Sequence, residues 1–299
     1  MSTIAVSVTT YDYAKYLPQC LDSILSQTKK ANEIFVVDDA SMDNTQKIIK
    51  KYKNKVNYIR FDKNYGIVCK TYNEGLKRAK SDYLLWISAD DWLHPKMLEK
   101  EARVLDQNPD IGMVYAQAYD VVNNKKQLII HPGSGNNNYK RRNNEFELLL
   151  TKGNYIPCLT ALVRKKVYED VGYFDEYFNL MGDYEMWIRI AKKYPVAYLA
   201  QPLAYYRLHE KNLHLDPKRQ KREEVEWGYI LKKHLKKDNN LSKKAYYYYY
   251  LTQSSKSFEN KRLKRALKLW QKGILQMPLY IPKLSTWQPF YFFLKSRLR

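Results

Sequence analysis

The stretch "YLLWISADDWLHP" (residues 83–95) runs an apolar segment straight into two adjacent carboxylates, Asp90 and Asp91, with a proline four residues on. An apolar run this short, bounded by polar residues, reads as a buried β-strand. Two negative charges at its end demand a reason, because like charges side by side repel.

Working outward, three earlier runs share the character of 83–87: "IAVSV" (4–8), "EIFVV" (33–37) and "VNYIRF" (56–61). The intervals between runs, about 20 to 28 residues, suit strands joined by crossover helices in a largely parallel sheet. Leu17, Leu21, Ile24 and Leu25 fall at helical spacing in the first interval; Ile48, Ile49 and Tyr52, with Ser41 as N-cap, do so in the second; Leu76 and Ala79 continue after the third strand. The first half is thus a doubly wound α/β unit. Ligands of such sheets bind beyond the carboxyl ends of the strands. Those positions hold Thr9, Thr10, Tyr11 and Asp12, then Asp38 and Asp39, then Asp90 and Asp91. No glycine-rich dinucleotide fingerprint or phosphate loop occurs there, which argues against a nicotinamide enzyme or a P-loop nucleotidase. An acidic edge attracts a diphosphate only through a divalent cation, and carboxylate oxygens suit Mg²⁺ or Mn²⁺.

Several segments in order resemble an inverting glycosyltransferase of family 2, with the GT-A fold: "VSVTTYDYAKYLPQCLDSILSQT" (6–28), "EIFVVDDASMDNT" (33–45), "NYGIVCKTYNEGLKRAKSDYLLWISADDWLHP" (64–95), "VGYFDE" (171–176), "GDYEMWIRIA" (182–191) and "YRLHEKN" (206–212). The resemblance covers roughly residues 1–215. It implies a Rossmann-like sheet flanked by helices, followed by a basic helical region over 216–299, and transfer of a sugar from a nucleotide diphosphate, UDP foremost, to a glycan or lipid-linked acceptor in cell-surface polysaccharide synthesis.

The same resemblance assigns roles by position. Thr9, Tyr11 and Asp39 would hold the nucleotide base, with Asp38 bracing the turn, and Lys70 would contact the diphosphate. Asp90 and Asp91, completed by His209, would seat Mn²⁺ or Mg²⁺ and touch the donor. Asp183 would be the general base. Two departures stand out: Ser88 replaces an aspartate that usually touches the ribose, and Gly182 replaces a glutamate that helps bind the acceptor. Each acidic residue has an ordinary structural alternative, since aspartate favours turns and helix starts.

The net charge of +21 is unevenly spread: residues 211–299 carry 22 Lys and Arg against six Asp and Glu. Such a tail can serve an anionic membrane surface or nucleic acid. A nucleic-acid-binding protein and a degenerate transferase that binds donor without turnover are the competing readings; the first leaves the acidic edge unexplained. "KKAYYYYYLTQSSKSFENKRLKRALKLWQKGILQMPLY" (243–280) reads as two helices meeting at Ala245 and Ala266, and "WQPFYFFLKSRLR" (287–299) as an aromatic, basic segment suited to a membrane interface. "HPGSGNNNYKRRNN" (131–144) reads as a polar, mobile loop. The N-terminus lacks the pattern of a secretory signal, so a cytoplasmic protein, peripheral at the inner membrane face, is expected. Three scattered cysteines, Cys20, Cys69 and Cys158, suggest reduced structural thiols rather than a disulfide or zinc framework.

Overall fold

A computed structural model describes residues 2–122, 125–128, 140–209, 212, 217–235 and 239–278. The four apolar runs form β1 (Ile4–Thr10), β2 (Glu33–Asp38), β3 (Asn57–Arg60) and β4 (Tyr83–Ser88). They pair in parallel in the order β3-β2-β1-β4. Every residue of β1 is buried, as expected where a parallel sheet is covered on both faces. In register, Thr9 lies beside Ser88 and Thr10 beside Asp38, so the carboxyl ends of three strands form one rim.

Helices α1 (Leu17–Leu25), α2 (Thr45–Ile49) and α3 (Val68–Arg78) fill the intervals. The expected cap at Ser41 is corrected: α2 begins at Thr45 with Asn44 at the cap position. The Ser41 hydroxyl instead accepts a hydrogen bond from the Asp12 amide, and the Ser41 amide binds Asp38. The hydroxyl thus ties the first two loops of the rim together rather than starting a helix.

Beyond β4 the sheet becomes mixed, a change that apolar spacing did not announce. β5 (Trp92–Leu93), α4 (Met97–Gln107), β6 (Met113–Val122), β7 (Lys125–Leu128), β8 (Lys140–Arg142), α5 (Glu145–Lys152), β9 (Leu162–Arg164), α6 (Lys165–Val171), α7 (Gly182–Lys193) and β10 (Val196–Leu208) follow. The order continues β4-β9-β6-β10-β5, with β7 on β6 and β8 on β10. Part of the polar segment 131–144 is therefore strand: β8 pairs antiparallel with Val196–Tyr198. Residues 131–139 of that segment lie outside the described residues.

Contacts divide the chain into two compact units, one of residues 1–145 with 155–219 and one of 146–154 with 220–299. In the second unit, α8 (Pro217–His234) is followed by α9 (Asn240–Glu259) and α10 (Leu263–Gln276). The pair α9–α10 is the hairpin expected, with Ala245 and Ala266 fully buried and the Ser254 hydroxyl donating to the Ala266 carbonyl at 2.8 Å. Of the five consecutive tyrosines, Tyr247 is buried and the others are half-buried. Lys152 lies 4.6 Å over the Tyr248 ring and Tyr249 packs edge-on against Trp227. The segment 287–299 lies outside the described residues. Among the described residues no helix is long and apolar enough to cross a membrane.

Candidate active site

The rim begins with the two aspartates after β2. Asp38 is fully buried; one oxygen accepts the Ser41 amide at 2.8 Å, the other the Tyr58 hydroxyl at 2.5 Å, and the Arg60 Nε lies 3.6 Å away. Burial, and next the Asp38 hydrogen bond, push the Tyr58 phenol above its ordinary range. Asp39 accepts the Tyr65 amide at 2.9 Å and the Gly66 amide at 3.1 Å. Gly66 has φ +63, a left-handed conformation that glycine adopts without steric cost. Both carboxylates therefore brace loops, and Asp39 can still offer lone pairs, since each carboxylate oxygen accepts more than one bond.

Of the other residues expected at the nucleotide, Thr9 is buried at the end of β1 with its carbonyl accepting the Ala89 amide. Tyr11 is 43% exposed just beyond it. Lys70, on α3, lies 3.2 Å from the Tyr65 ring centroid and 5.8 Å from that of Phe61. Its ammonium is packed on aromatic faces, a favourable cation–π arrangement. Ser88 ends β4, and its carbonyl accepts the Asp91 amide at 3.1 Å.

Asp90 and Asp91 point to different tasks. Neither caps a helix, because α4 starts at Met97 with Lys96 at its cap. Asp90 sets Oδ2 3.0 Å from the His209 Nε2, while its Oδ1 is buried with no hydrogen-bond partner. Asp91, 2% exposed, accepts the Arg207 amide at 2.9 Å. Burial, then the neighbouring Asp90, push its carboxyl well above the usual range. Such a pair is costly as two bare charges, and a divalent cation would favour the ionised forms. A carboxylate with one partnerless oxygen and the other against an imidazole nitrogen offers donors that would suit Mn²⁺ or Mg²⁺. Among the described residues no group of three or more His, Cys, Asp or Glu is arranged to hold a metal. A cation held by Asp90 and His209 would therefore have to complete its shell with phosphate and water oxygens.

From the sequence Arg207 counts only as a neighbour of His209, yet it makes the most contacts around Asp90. Arg207 donates from Nε to the Asp90 carbonyl at 2.8 Å and from a terminal nitrogen to Gln19 at 2.6 Å. Its guanidinium lies between two rings, 4.7 Å from the Tyr16 centroid and 4.5 Å from that of Trp92. The stack extends both ways: Tyr16 lies on His209 at 5.1 Å, and Trp92 on Tyr205 at 5.0 Å. Asn212 closes the turn, accepting from the His209 amide and donating to the Arg207 carbonyl. Past the acids, Gln27 is fully buried, donating to the His94 carbonyl and accepting from the Leu98 amide. The one signal in the sequence was "YRLH", where an arginine of rigid, planar donors sits two residues from a histidine.

Asp183 lies in the first turn of α7, with Met181 rather than Asp183 at the cap position. It is half-buried, and Oδ1 accepts the Tyr184 amide at 2.7 Å. Burial, then Asp183, Asp91 and Asp90, push the Cys158 thiol well above its ordinary value. The same charges reach two phenols: Tyr72 is raised by burial and by groups including Cys158 and Asp183, and Tyr206 by burial and by Asp91. Tyr72 in turn stacks on Trp86 with centroids 3.7 Å apart. Cys158, read from the sequence as a structural thiol, thus lies within the fields of both Asp183 and the acid pair. All three cysteines are free.

Comparison with known proteins agrees with this architecture. Residues 5–172 match the family described as Glycosyl transferase family 2. An uncharacterized glycosyltransferase of Rickettsia typhi is 26% identical over 238 residues, 79% of this chain and 73% of the relative. The poly(ribitol-phosphate) beta-N-acetylglucosaminyltransferase TarP of Staphylococcus aureus is 36% identical over 103 residues, 33% of this chain and 32% of its own length. The chain spans 64% of a Rickettsia prowazekii relative and 34% of one from Rickettsia felis. Among solved structures, S. aureus TarS 1–349 in complex with UDP-GlcNAc superposes with a TM-score of 0.70 at 18% identity, covering 99% of this chain and 92% of that one. A mannosyltransferase from Pyrobaculum calidifontis in complex with GDP-Man and Mn²⁺ gives 0.62 at 16% identity, covering 99% and 86%. The mixed sheet with its rim of carboxylates is that of the GT-A fold, and the chain belongs to glycosyl transferase family 2 and is a glycosyltransferase.

Proposed function

We propose that this enzyme transfers a sugar, with inversion at the anomeric carbon, from a UDP-linked donor to a hydroxyl of a glycan or lipid-linked acceptor in cell-surface polysaccharide synthesis. The observation that carries the reading is the buried Asp90 carboxylate, whose Oδ2 lies 3.0 Å from His209 Nε2 while its Oδ1 has no hydrogen-bond partner. Asp90 and His209 would hold Mn²⁺ or Mg²⁺, with Asp91 reaching it through the oxygen not directed at the Arg207 amide. When bound, the cation supplies positive charge to the leaving diphosphate.

The chain's own groups account for the remainder. Tyr11 offers an exposed ring to the base, Asp39 a carboxylate for an imide N–H, and Thr9 and Ser88 line the adjoining rim. Lys70 exchanges its ring contact for the diphosphate. Asp183 accepts the proton of the acceptor hydroxyl as that oxygen forms its bond to the anomeric carbon. The carbon–oxygen bond to the diphosphate breaks, its electron pair leaving with the nucleotide. The charge of +16 over 211–299 suits an anionic partner, either a membrane surface or an acidic acceptor polymer.

A thermal-shift screen of nucleotide sugars with Mn²⁺ tests the donor first. A ligand at 100 times its Kd adds about 2.7 kcal/mol, a rise of roughly 5–10 °C for a domain of this size. UDP and its sugars are expected to give that shift, and EDTA to remove most of it. Equal shifts and turnover in wild type, Asp90→Asn and His209→Ala, with or without EDTA, would refute the seat.

A further inference from the structure

The helix that presents Asp183 starts with a residue that cannot carry a side chain. Gly182 is buried, and a Cβ built on it would lie 2.1 Å from the Cys69 sulfur; the next nearest atoms, Phe178 Cβ and Cys69 Cβ, are at 3.7 and 3.9 Å. One atom, Sγ of Cys69, thus accounts for the whole obstruction. It falls short of ordinary carbon contact, about 3.5 Å or more, by over an ångström.

Two pairs of hydrogen bonds tie α3 to the segment leading into α7, so the two backbones are held at a fixed approach around that sulfur. Asn73 donates to the Phe174 carbonyl at 2.8 Å and accepts the Phe174 amide at 2.9 Å. Asn179 accepts the Val68 amide and donates to the Gly66 carbonyl, both at 3.0 Å. Cys69, 1% exposed, lies between these clamps in the sequence of α3. A side chain at 182 therefore has to turn the Cys69 sulfur aside or move the start of α7.

We propose that Cys69 is a positioning residue for Asp183: its sulfur, seated against the bare Cα of residue 182, fixes where the first turn of α7 lies and hence where the carboxylate is held. The proposal rests on the reading of Asp183 as the base. Its consequence is that residues 69 and 182 are sterically exclusive. The sulfur at 69 excludes a side chain at 182, and removing it leaves room for a methyl group there.

A four-member cycle tests this: wild type, Cys69→Ala, Gly182→Ala and the double variant, with Asp183→Asn alongside. Thermal unfolding and turnover of UDP-N-acetylglucosamine with Mn²⁺ are measured on each, with kcat and donor KM determined separately. Gly182→Ala is expected to lose about 100-fold in kcat, the scale for misplacing a reacting group by an ångström. Its donor KM stays within about threefold of wild type, because the donor rim is untouched. Adding Cys69→Ala is expected to restore both the melting temperature and at least tenfold of the lost kcat. Recovery of melting temperature without kcat would overturn the proposal, leaving the contact merely structural. So would a Gly182→Ala enzyme as fast as wild type, or a donor KM that rises as far as kcat falls. An Asp183→Asn enzyme with undiminished kcat would overturn the base assignment itself; loss of activity there with failure of the cycle would sink the positioning role alone.

Discussion

Glu101 gives the sharpest test of the packing. It lies on α4, is 0% exposed, and neither carboxyl oxygen has a hydrogen-bond partner. Burial without compensation drives its carboxyl well above the ordinary value of 4.5. A group whose folded value is raised binds its proton more tightly in the native state. Its stabilising contribution is therefore complete below the unfolded value and is lost as pH rises through the folded one. Within that window each pH unit removes about 1.4 kcal/mol. Glu101→Met keeps much of the volume and removes the titration. Urea unfolding at pH 5, 6 and 7 should show the variant gaining on wild type at each step, with unchanged m-value. Parallel pH profiles for the two proteins, or a variant less stable at pH 7 than at pH 5 relative to wild type, would refute the reasoning.

Arg207→Lys keeps the charge but cannot reach both the Asp90 carbonyl and Gln19 from between two rings. Losing one charge-assisted bond and part of the stacking, about 2–3 kcal/mol, should weaken Mn²⁺-dependent binding of UDP by roughly 30- to 150-fold in calorimetry. Wild-type affinity in the variant would discount the arginine as organiser of the seat. Tyr58→Phe removes the hydroxyl bound to the buried Asp38 and should cost about 1–3 kcal/mol in denaturant unfolding, while an unchanged midpoint would mean the carboxylate finds another donor.

Legibility followed sequence separation. The strands at 4–10, 33–38 and 83–88 were readable because parallel strands covered on both faces must be apolar throughout, and Val6, Val8, Val36, Leu85 and Ile87 are all fully buried. Asp90 and Asp91 could be singled out because burial at a strand end makes paired charge conspicuous. The mixed half was harder. β10 runs for 13 residues through Gln201 and Pro202, with register shifts against β6, and no period marks such a strand. The partner of Asp91 is a backbone amide 116 residues away, which no local pattern encodes. Ser41 and Asn44 are both credible caps by residue type, and only the competing bond from Asp12 decides between them. Gly182 was visible as a departure from the family, but its reason, the sulfur of Cys69, required three dimensions.

The contacts around Asp90 come from Arg207, His209 and Asn212, whereas the rim proposed to receive the nucleotide ends at residue 91. A nascent chain emerging amino end first therefore builds its docking groove long before its cation clasp. Fragments released by stalled synthesis or cut ahead of β10 would lack the arginine and the imidazole together. On the proposed reading, such pieces would keep the loops that face a nucleotide without the groups that would hold the cation, so the order of the segments along the polypeptide sets when the site can first be whole.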